Sequence, residues 1–136
     1  MWPDVKFLKL FVLIGAAIPL ITGPLSMLGL HDPIYAMTPT ADDSILDSNT
    51  RFFGGLWLVC GLALLTTLRT LDQPNPLFRW IMLGIVAGGV GRLISMAALA
   101  VPPAPFIAVT VLEIVVIPVV IVWQAKLAGT AVRVSP

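Results

Sequence analysis

The sequence has little charge, one cysteine and one histidine. Only 11% of its 136 residues are charged, whereas 58% are hydrophobic and the mean hydropathy is +1.00. A soluble domain carries roughly 25% charged residues, so this composition excludes a soluble globular protein. The lone Cys60 excludes an intrachain disulfide, and the net charge of +1 leaves no electrostatic basis for nucleic-acid binding.

Catalytic and metal-binding patterns are also lacking. A single histidine, His31, excludes bis-histidine haem ligation and offers no cluster of metal ligands within one chain. Cys60 has no charged or histidine neighbour that would activate its thiol, so we interpret it as a packing residue. Because no nucleophile elbow, phosphate-binding loop or H-E-x-x-H pattern occurs, we expect no catalytic residues, no metal, no cofactor and no enzymatic activity.

The sequence does contain four long apolar blocks, and each is long enough to cross the roughly 30 Å core of a bilayer as a helix. In lipid the backbone must form its hydrogen bonds internally, so even the last block, rich in Val and Ile, is predicted to be helical. We therefore predict an all-α polytopic membrane protein, a bundle of four transmembrane helices in a single domain, residues 1–136. The helices are expected at about 7–30, 51–69, 78–101 and 105–125, with an outer loop at 31–50.

The distribution of Lys and Arg predicts the orientation. With four spans, both termini and the segment between the second and third helices share one side. Arg51 alone lies on the opposite side. The side of the termini carries six cationic residues: Lys6, Lys9, Arg69, Arg79, Lys126 and Arg133. The positive-inside rule then predicts cytoplasmic termini, N-in and C-in, and it places Trp2, Trp80 and Trp123 together at the inner interface.

The predicted outer loop is acidic. It holds four of the seven acidic residues, among them Asp43 and Asp47. Thr40 is a candidate cap for a short interfacial helix that has Asp43 near its start. Asp47 precedes Arg51 by four residues, so a helix that continues into the second span would pair these two charges at the outer interface.

Two charges interrupt the third and fourth apolar blocks. Arg92 lies ten residues before Pro102 and Glu113 lies eight residues after Pro105, which gives depths of ~15 Å and ~12 Å from the same turn. A buried charge is unfavourable in lipid unless it is paired, so we predict an Arg92–Glu113 ion pair near the bilayer midplane. The pair can be a clamp that fixes the register of the two helices. Alternatively, Glu113 is a proton or cation site, with Arg92 as its counter-charge or as an anchor for an anionic ligand.

Small residues recur at helical spacing on three of the predicted helices, which favours close approach of helix backbones. On the third helix this face includes Arg92, which predicts that its side chain points into the bundle. The three faces are, in chain order, Gly15, Pro19, Thr22, Gly23 and Ser26; Gly54, Gly61 and Thr66 with Trp57 adjoining; and Gly84, Gly88, Arg92 and Ser95 with Gly91 beside them.

Three stretches carry a resemblance to a known family. They are N-T-R-F-F-G-G-L-W at 49–57, G-G-V-G-R-L-I-S at 88–95 and L-E-I at 112–114. Over roughly residues 6–124 the chain resembles the bacterial four-helix membrane family known as domain of unknown function 4345. The resemblance implies a polar signature at Asn49, Arg51, Arg92, Ser95 and Glu113, a place in the bacterial cytoplasmic membrane, and no particular activity.

These observations leave three functional hypotheses open. The first is a non-enzymatic accessory or interaction subunit, or a homo-oligomer, whose partners are the lipid bilayer and either a second copy or a larger membrane complex. The alternative is a small carrier for a proton-coupled or amphipathic substrate that uses Glu113 and Arg92. The third, a quinone-site protein or membrane enzyme, has only Asn49, Arg51 and Trp57 at the outer mouth as candidate binding residues.

Overall fold

A computed structural model describes residues 4–37 and 42–134. Within these residues the chain is helical and contains no β-strand, which confirms the all-α prediction. The α-helices are α1 (Val5–Ser26), α2 (Ser44–Thr67), α3 (Pro76–Ala98), α4 (Ala104–Val111) and α5 (Ile117–Val134). A π-helical turn (Leu112–Val116) joins α4 to α5, and short 3-10 turns occupy Gly29–His31, Pro33–Met37 and Leu68–Thr70.

Four helical segments are long and apolar enough to cross a membrane, as predicted. They are Val5–Ser26, Ser44–Thr70, Pro76–Ala98 and Ala104–Thr130, of 22, 27, 23 and 27 residues. About 20 apolar residues are needed to span a bilayer core, so each segment exceeds the requirement. The protein is therefore a multi-pass membrane protein, and its orientation remains a prediction.

The second helix begins earlier than predicted. It starts at Ser44 instead of residue 51, because the Asp43 carboxylate caps it by accepting the backbone N–H groups of Ile45 and Leu46 at 2.8 and 3.1 Å. The predicted outer loop at 31–50 is therefore partly helical. The candidate cap Thr40 lies outside the described residues, as does the interfacial Trp2.

The other boundaries differ by a few residues or more. The first helix ends at Ser26 instead of residue 30, the third ends at Ala98 instead of 101, and the fourth span continues to Val134 beyond 125. The chain also divides into two compact units. We call residues 10–37 and 42–68 the α1–α2 unit, and residues 4–9 and 69–134 the α3–α5 unit.

In the α1–α2 unit the two helices meet at glycines. A Cβ added at Gly54 would lie 2.7 Å from the carbonyl oxygen of Gly23, and one added at Gly23 would lie 2.8 Å from the backbone nitrogen of Leu58. Gly61 faces the ring of Pro19 in the same way, at 3.0 Å. The small faces predicted for these two helices therefore pack against each other. Two residues predicted for these faces do not take part in the contact. A Cβ added at Gly15 would meet no described atom within 4 Å, and Thr66 is exposed.

In the α3–α5 unit, α3 packs against α4, the π turn and α5. The fourth span buries residues three or four apart, which places them on one helical face. They are Thr110, Glu113, Ile117, Val120, Gln124 and Ala128. The buried residues of α3 are Phe78, Met82 and Gly89. A buried carboxylate thus lies on a packing face that also contains two neutral polar residues, Thr110 and Gln124.

Candidate functional site

The π turn carries the buried acid. Pro118 has no N–H to donate to the carbonyl one turn before it, and its ring crowds that carbonyl. Directly ahead of it the helix widens, and the N–H of Ile117 donates to the carbonyl of Leu112, five residues back. The structure therefore places Glu113 within a π turn directly ahead of Pro118. Such turns occur frequently at functional sites.

A glycine allows the π turn to approach α3. A Cβ added at Gly89 would lie 2.8 Å from the Cβ of Glu113 and 3.0 Å from the Cδ1 of Ile114. Ordinary carbon–carbon contacts lie at about 3.5–4.0 Å, so any larger residue at this position would push the helices apart. Gly89 therefore sets the distance between α3 and the acid.

The predicted Arg92–Glu113 ion pair is confirmed. The Nε atom of Arg92 lies 3.1 Å from Oε2 of Glu113. The two side chains differ in exposure, since 8% of the Glu113 side chain is exposed but 41% of the Arg92 side chain. The Cζ atom of Arg92 also lies 5.8 Å from the ring centre of Phe106, two helical turns before Glu113, in a cation–π contact.

The pair is not fully satisfied by the protein. Oε2 of Glu113 is buried and has no hydrogen-bond partner among the described residues, so the two charges meet as an ion pair without an aligned hydrogen bond. Likewise, no described residue accepts a hydrogen bond from the Arg92 side chain. Inside a membrane, unsatisfied polar groups are costly and usually have a functional or structural partner.

Arg92 lies closer to the end of its helix than the ~15 Å predicted from Pro102, and Glu113 lies slightly farther from the start of its helix than the ~12 Å predicted from Pro105. Arg92 is six residues before Ala98, the last residue of α3, which corresponds to ~9 Å. Glu113 is nine residues after Ala104, the first residue of α4, or ~14 Å. The two charges are at similar levels, as the hairpin arithmetic required, but Arg92 is ~7 Å from the centre of α3. The position of the pair relative to the bilayer midplane stays a prediction.

The small-residue face predicted for α3 is wrong in one respect. A Cβ added at Gly84, Gly88 or Gly91 would meet no described atom within 4 Å, and Ser95 is exposed. The glycine in contact is Gly89, which lies 100° around the helix from Gly88. Arg92 lies between the two faces, and this explains why its side chain is only half-buried.

The predicted pair of Asp47 and Arg51 is also present, in the α1–α2 unit. Arg51 donates from Nε to Oδ2 of Asp47 at 2.7 Å and from Nη2 to Oδ1 at 3.2 Å. Its Nη1 donates to the carbonyl of Met27 at 2.9 Å, and the backbone N–H of Leu30 donates to Oδ1 of Asp47 at 2.9 Å. These bonds tie the start of α2 to the chain that leaves α1.

Gly29 makes that connection possible. Its φ of +67° is a conformation that other residues rarely adopt, and a Cβ there would collide with the Asp47 carboxylate. A second acid, Asp32, is buried nearby and was not predicted as a site residue. It accepts hydrogen bonds from the Ser26 hydroxyl at 2.9 Å and the Ile34 N–H at 3.0 Å. We interpret this region as a structured connection.

The remaining candidates do not join either pair. Asn49 is exposed, and its side chain has no hydrogen-bond partner among the described residues. Trp57 donates from Nε1 to the hydroxyl of Thr22 at 3.0 Å, and so it ties α2 to α1. Ser95 is exposed on the open face of α3. No hydrogen bond in the described chain links Asn49, Arg51 and Trp57 into one cluster.

Sequence reasoning also missed the buried polar residue Gln124. It is completely buried in α5, and its Nε2 donates to the carbonyls of Gln73 at 2.8 Å and Leu71 at 3.2 Å. Its Oε1 accepts the Nε of Arg79 at 3.2 Å. The available signal was its position eleven residues after Glu113, on the same helical face. Among the described residues, no three His, Cys, Asp or Glu side chains are placed to hold a metal ion.

Comparison with known proteins gives a family for this chain. The model of the family described as Domain of unknown function (DUF4345) matches residues 7–124. No curated protein and no solved structure matches the chain. The matched range includes both charge pairs, all of the second and third membrane-spanning segments, the first from residue 7 and the fourth as far as residue 124, and it agrees with the resemblance drawn from the sequence. The chain belongs to the DUF4345 family, a domain of unknown function.

Proposed function

We propose that this protein is a non-enzymatic membrane protein that acts by helix association, either with a second copy or as an accessory subunit of a larger membrane complex. The observation that supports this function is the open face of α3, on which small residues recur at intervals of four, three and four. They are Gly84, Gly88, Gly91 and Ser95. In membranes such faces allow the backbone of another helix to approach closely.

The proposal includes a location in the bacterial cytoplasmic membrane with both termini in the cytoplasm. Six of the eight Lys and Arg residues lie at the ends of helices that share one side in a four-span arrangement. Single-cysteine variants in the connection between α2 and α3 should react with a membrane-impermeant thiol reagent only after the cells are opened. Labelling of intact cells would reverse the orientation.

A matched pair of substitutions on α3 tests helix association. Gly88→Leu places a large side chain in the open face, whereas Val90→Leu changes an exposed residue about 160° further around the same helix. Wild type and Val90→Leu should be captured as oligomers, or with a membrane partner, by crosslinking in native-like lipid. Gly88→Leu should not be captured. A wild-type protein that runs as a lone monomer and captures no partner would refute this function.

The buried charge pair favours a second candidate, a small carrier for a proton-coupled or amphipathic substrate. The supporting observation is the position of Glu113 on a π turn, with a buried oxygen whose only charged contact among the described residues is Arg92 at 3.1 Å. Ionisable residues within membrane helices commonly lie on ion or substrate pathways. Flux in proteoliposomes should depend on pH and disappear in Glu113→Gln. Unchanged flux in that variant would exclude Glu113 as the coupling residue.

A further inference from the structure

We infer that Arg92 forms a binding site for a carbonyl oxygen of a neutral, lipid-soluble molecule. The inference names a ligand class for the carrier candidate and rests on that candidate for its physiological purpose. Binding at Arg92 is nevertheless measured independently of transport. Three observations support it: unused hydrogen-bond donors, access from outside the protein, and the charge balance of the pair.

The first observation concerns donors without acceptors. A guanidinium group carries five N–H donors in a planar fork. The Nε of Arg92 faces Glu113, and no described residue accepts a hydrogen bond from the two terminal Nη atoms. Hydrocarbon supplies no acceptor, so leaving these donors unsatisfied is unfavourable. An oxygen from a bound molecule would satisfy them.

The second observation concerns access. The Arg92 side chain is 41% exposed, and Phe106 lies against its guanidinium group. Gly88 lies four residues before Arg92, about 40° around the helix, and a Cβ added there would meet no described atom within 4 Å. The surface beside the guanidinium group is therefore uncrowded next to Gly88 and has the apolar ring of Phe106 at its edge. This shape suits the hydrocarbon part of a ligand whose oxygen reaches the Nη atoms.

The third observation is the charge balance. Arg92 and Glu113 are the only charged residues between Trp80 and Trp123, and their formal charges cancel. On α3, α4, the π turn and α5, the other charged residues are Arg79, Lys126 and Arg133, and each lies at least thirteen residues along the chain from the nearer member of the pair. An anionic ligand would leave one uncompensated negative charge in a medium of low dielectric constant, which is costly. A ketone, ester or quinone carbonyl accepts hydrogen bonds and leaves the net charge at zero, so a neutral ligand is favoured.

Two sources offer this chemistry at the right depth. Arg92 lies ~9 Å from the end of α3, so its side chain can extend toward the ester carbonyls of the bilayer lipids. A diffusible carbonyl compound dissolved in the membrane can reach it as well. The proposal covers both sources, and the experiment separates them.

The test observes the arginine side chains directly in the wild-type protein. Protein labelled with ¹⁵N-arginine is held in alkyl maltoside micelles, which contain no carbonyl groups, and titrated with 2-undecanone. The side-chain resonances of Arg92 should shift and saturate. Those of Arg79, whose Nε already donates to Gln124, should not move. Undecane should have no comparable effect, and decanesulfonate, which stays charged, should bind about tenfold more weakly or worse.

Two outcomes of the titration would overturn the inference. Equal shifts of the Arg92 resonances with undecane would mean that the Arg92 site responds to hydrocarbon alone. Tighter binding of decanesulfonate than of 2-undecanone would mean that the site prefers an anion. In nanodiscs, a difference in the Arg92 resonances between ester-linked and ether-linked phospholipids would identify the bilayer lipids as a source. No difference, together with saturable ketone binding, would identify a diffusible ligand.

Flux measurements distinguish this inference from the carrier function. Saturable ketone binding without pH-dependent flux would refute the carrier and leave the Arg92 site in place. The opposite result would be flux that disappears in Glu113→Gln together with Arg92 resonances that do not shift with the ketone. It would support the carrier function and refute the Arg92 site.

Discussion

Gly89→Ala should separate α3 from the π turn and weaken the buried pair. The new Cβ would lie 2.8 Å from the Cβ of Glu113, which is fixed close to its backbone, so the helix itself must move. A normal contact of about 3.5–4.0 Å requires a shift of about 1 Å. The same shift would lengthen the distance between Arg92 and Glu113 from 3.1 Å to about 4 Å. Overpacking of this kind costs about 1–3 kcal/mol.

Gly88→Ala is the matched control, because it makes the same chemical change one residue away, where no described atom lies within 4 Å. Replacing glycine by alanine in a helix gains up to about 1 kcal/mol, and this gain is common to both variants. The difference between them therefore reports packing alone. It is measured as the free energy of reversible unfolding, in micelles at large excess over protein so that association does not contribute. If Gly88→Ala is as destabilising as Gly89→Ala, the assignment of the packed face is incorrect.

Substitutions at three other contacts supply the remaining tests. Arg92→Glu and Glu113→Arg should each destabilise the protein by roughly 3 kcal/mol or more, because each brings two like charges together at the pair. The double swap should recover part of this loss, and no recovery would mean that the two residues do not meet. Arg51→Lys keeps the charge but loses the two-point contact with Asp47, so the unfolding temperature should fall slightly. An unchanged temperature would show that the two-point contact does not contribute to stability. Gln124→Leu leaves the part-buried Nε of Arg79 and the carbonyls of Leu71 and Gln73 without this hydrogen-bond partner, so unfolding in nanodiscs should require about 1–3 kcal/mol less. Equal stability would show that water replaces the amide.

The ion pair was predictable because its derivation depends on depth alone. Two helices joined by a short turn must be antiparallel, and their rise per residue places Arg92 and Glu113 at similar levels whatever the rotation of each helix. The long side chains tolerate the remaining offset. The same calculation placed Arg92 ~6 Å too far from the end of its helix, because it counted from Pro102 whereas α3 ends at Ala98.

The packed face of α3 was harder to predict, since it depends on the rotation of the helix. Five glycines and serines between residues 84 and 95 form two faces about 100° apart, and periodicity does not say which face meets the neighbouring helix. The longer series of Gly84, Gly88, Gly91 and Ser95 was the more regular pattern. A single residue, Gly89, makes the contact, because the backbone of the π turn requires space only at that level.

The position of Arg92 between these two faces also bears on the two roles considered for the pair. A fully enclosed pair would favour a structural clamp, whereas an open pair would favour a ligand site. Here the acid is enclosed, with 8% of its side chain exposed, and the guanidinium group is half-open. Within the guanidinium group, Nε contacts Glu113 and one face of the plane lies against Phe106. The two terminal Nη nitrogens can therefore bind another oxygen without breaking the ion pair. Holding two helices in register and binding a ligand are therefore compatible roles for one arginine. This compatibility follows from the geometry of the guanidinium donors. The spacing of charged residues along the sequence carries no information on that geometry.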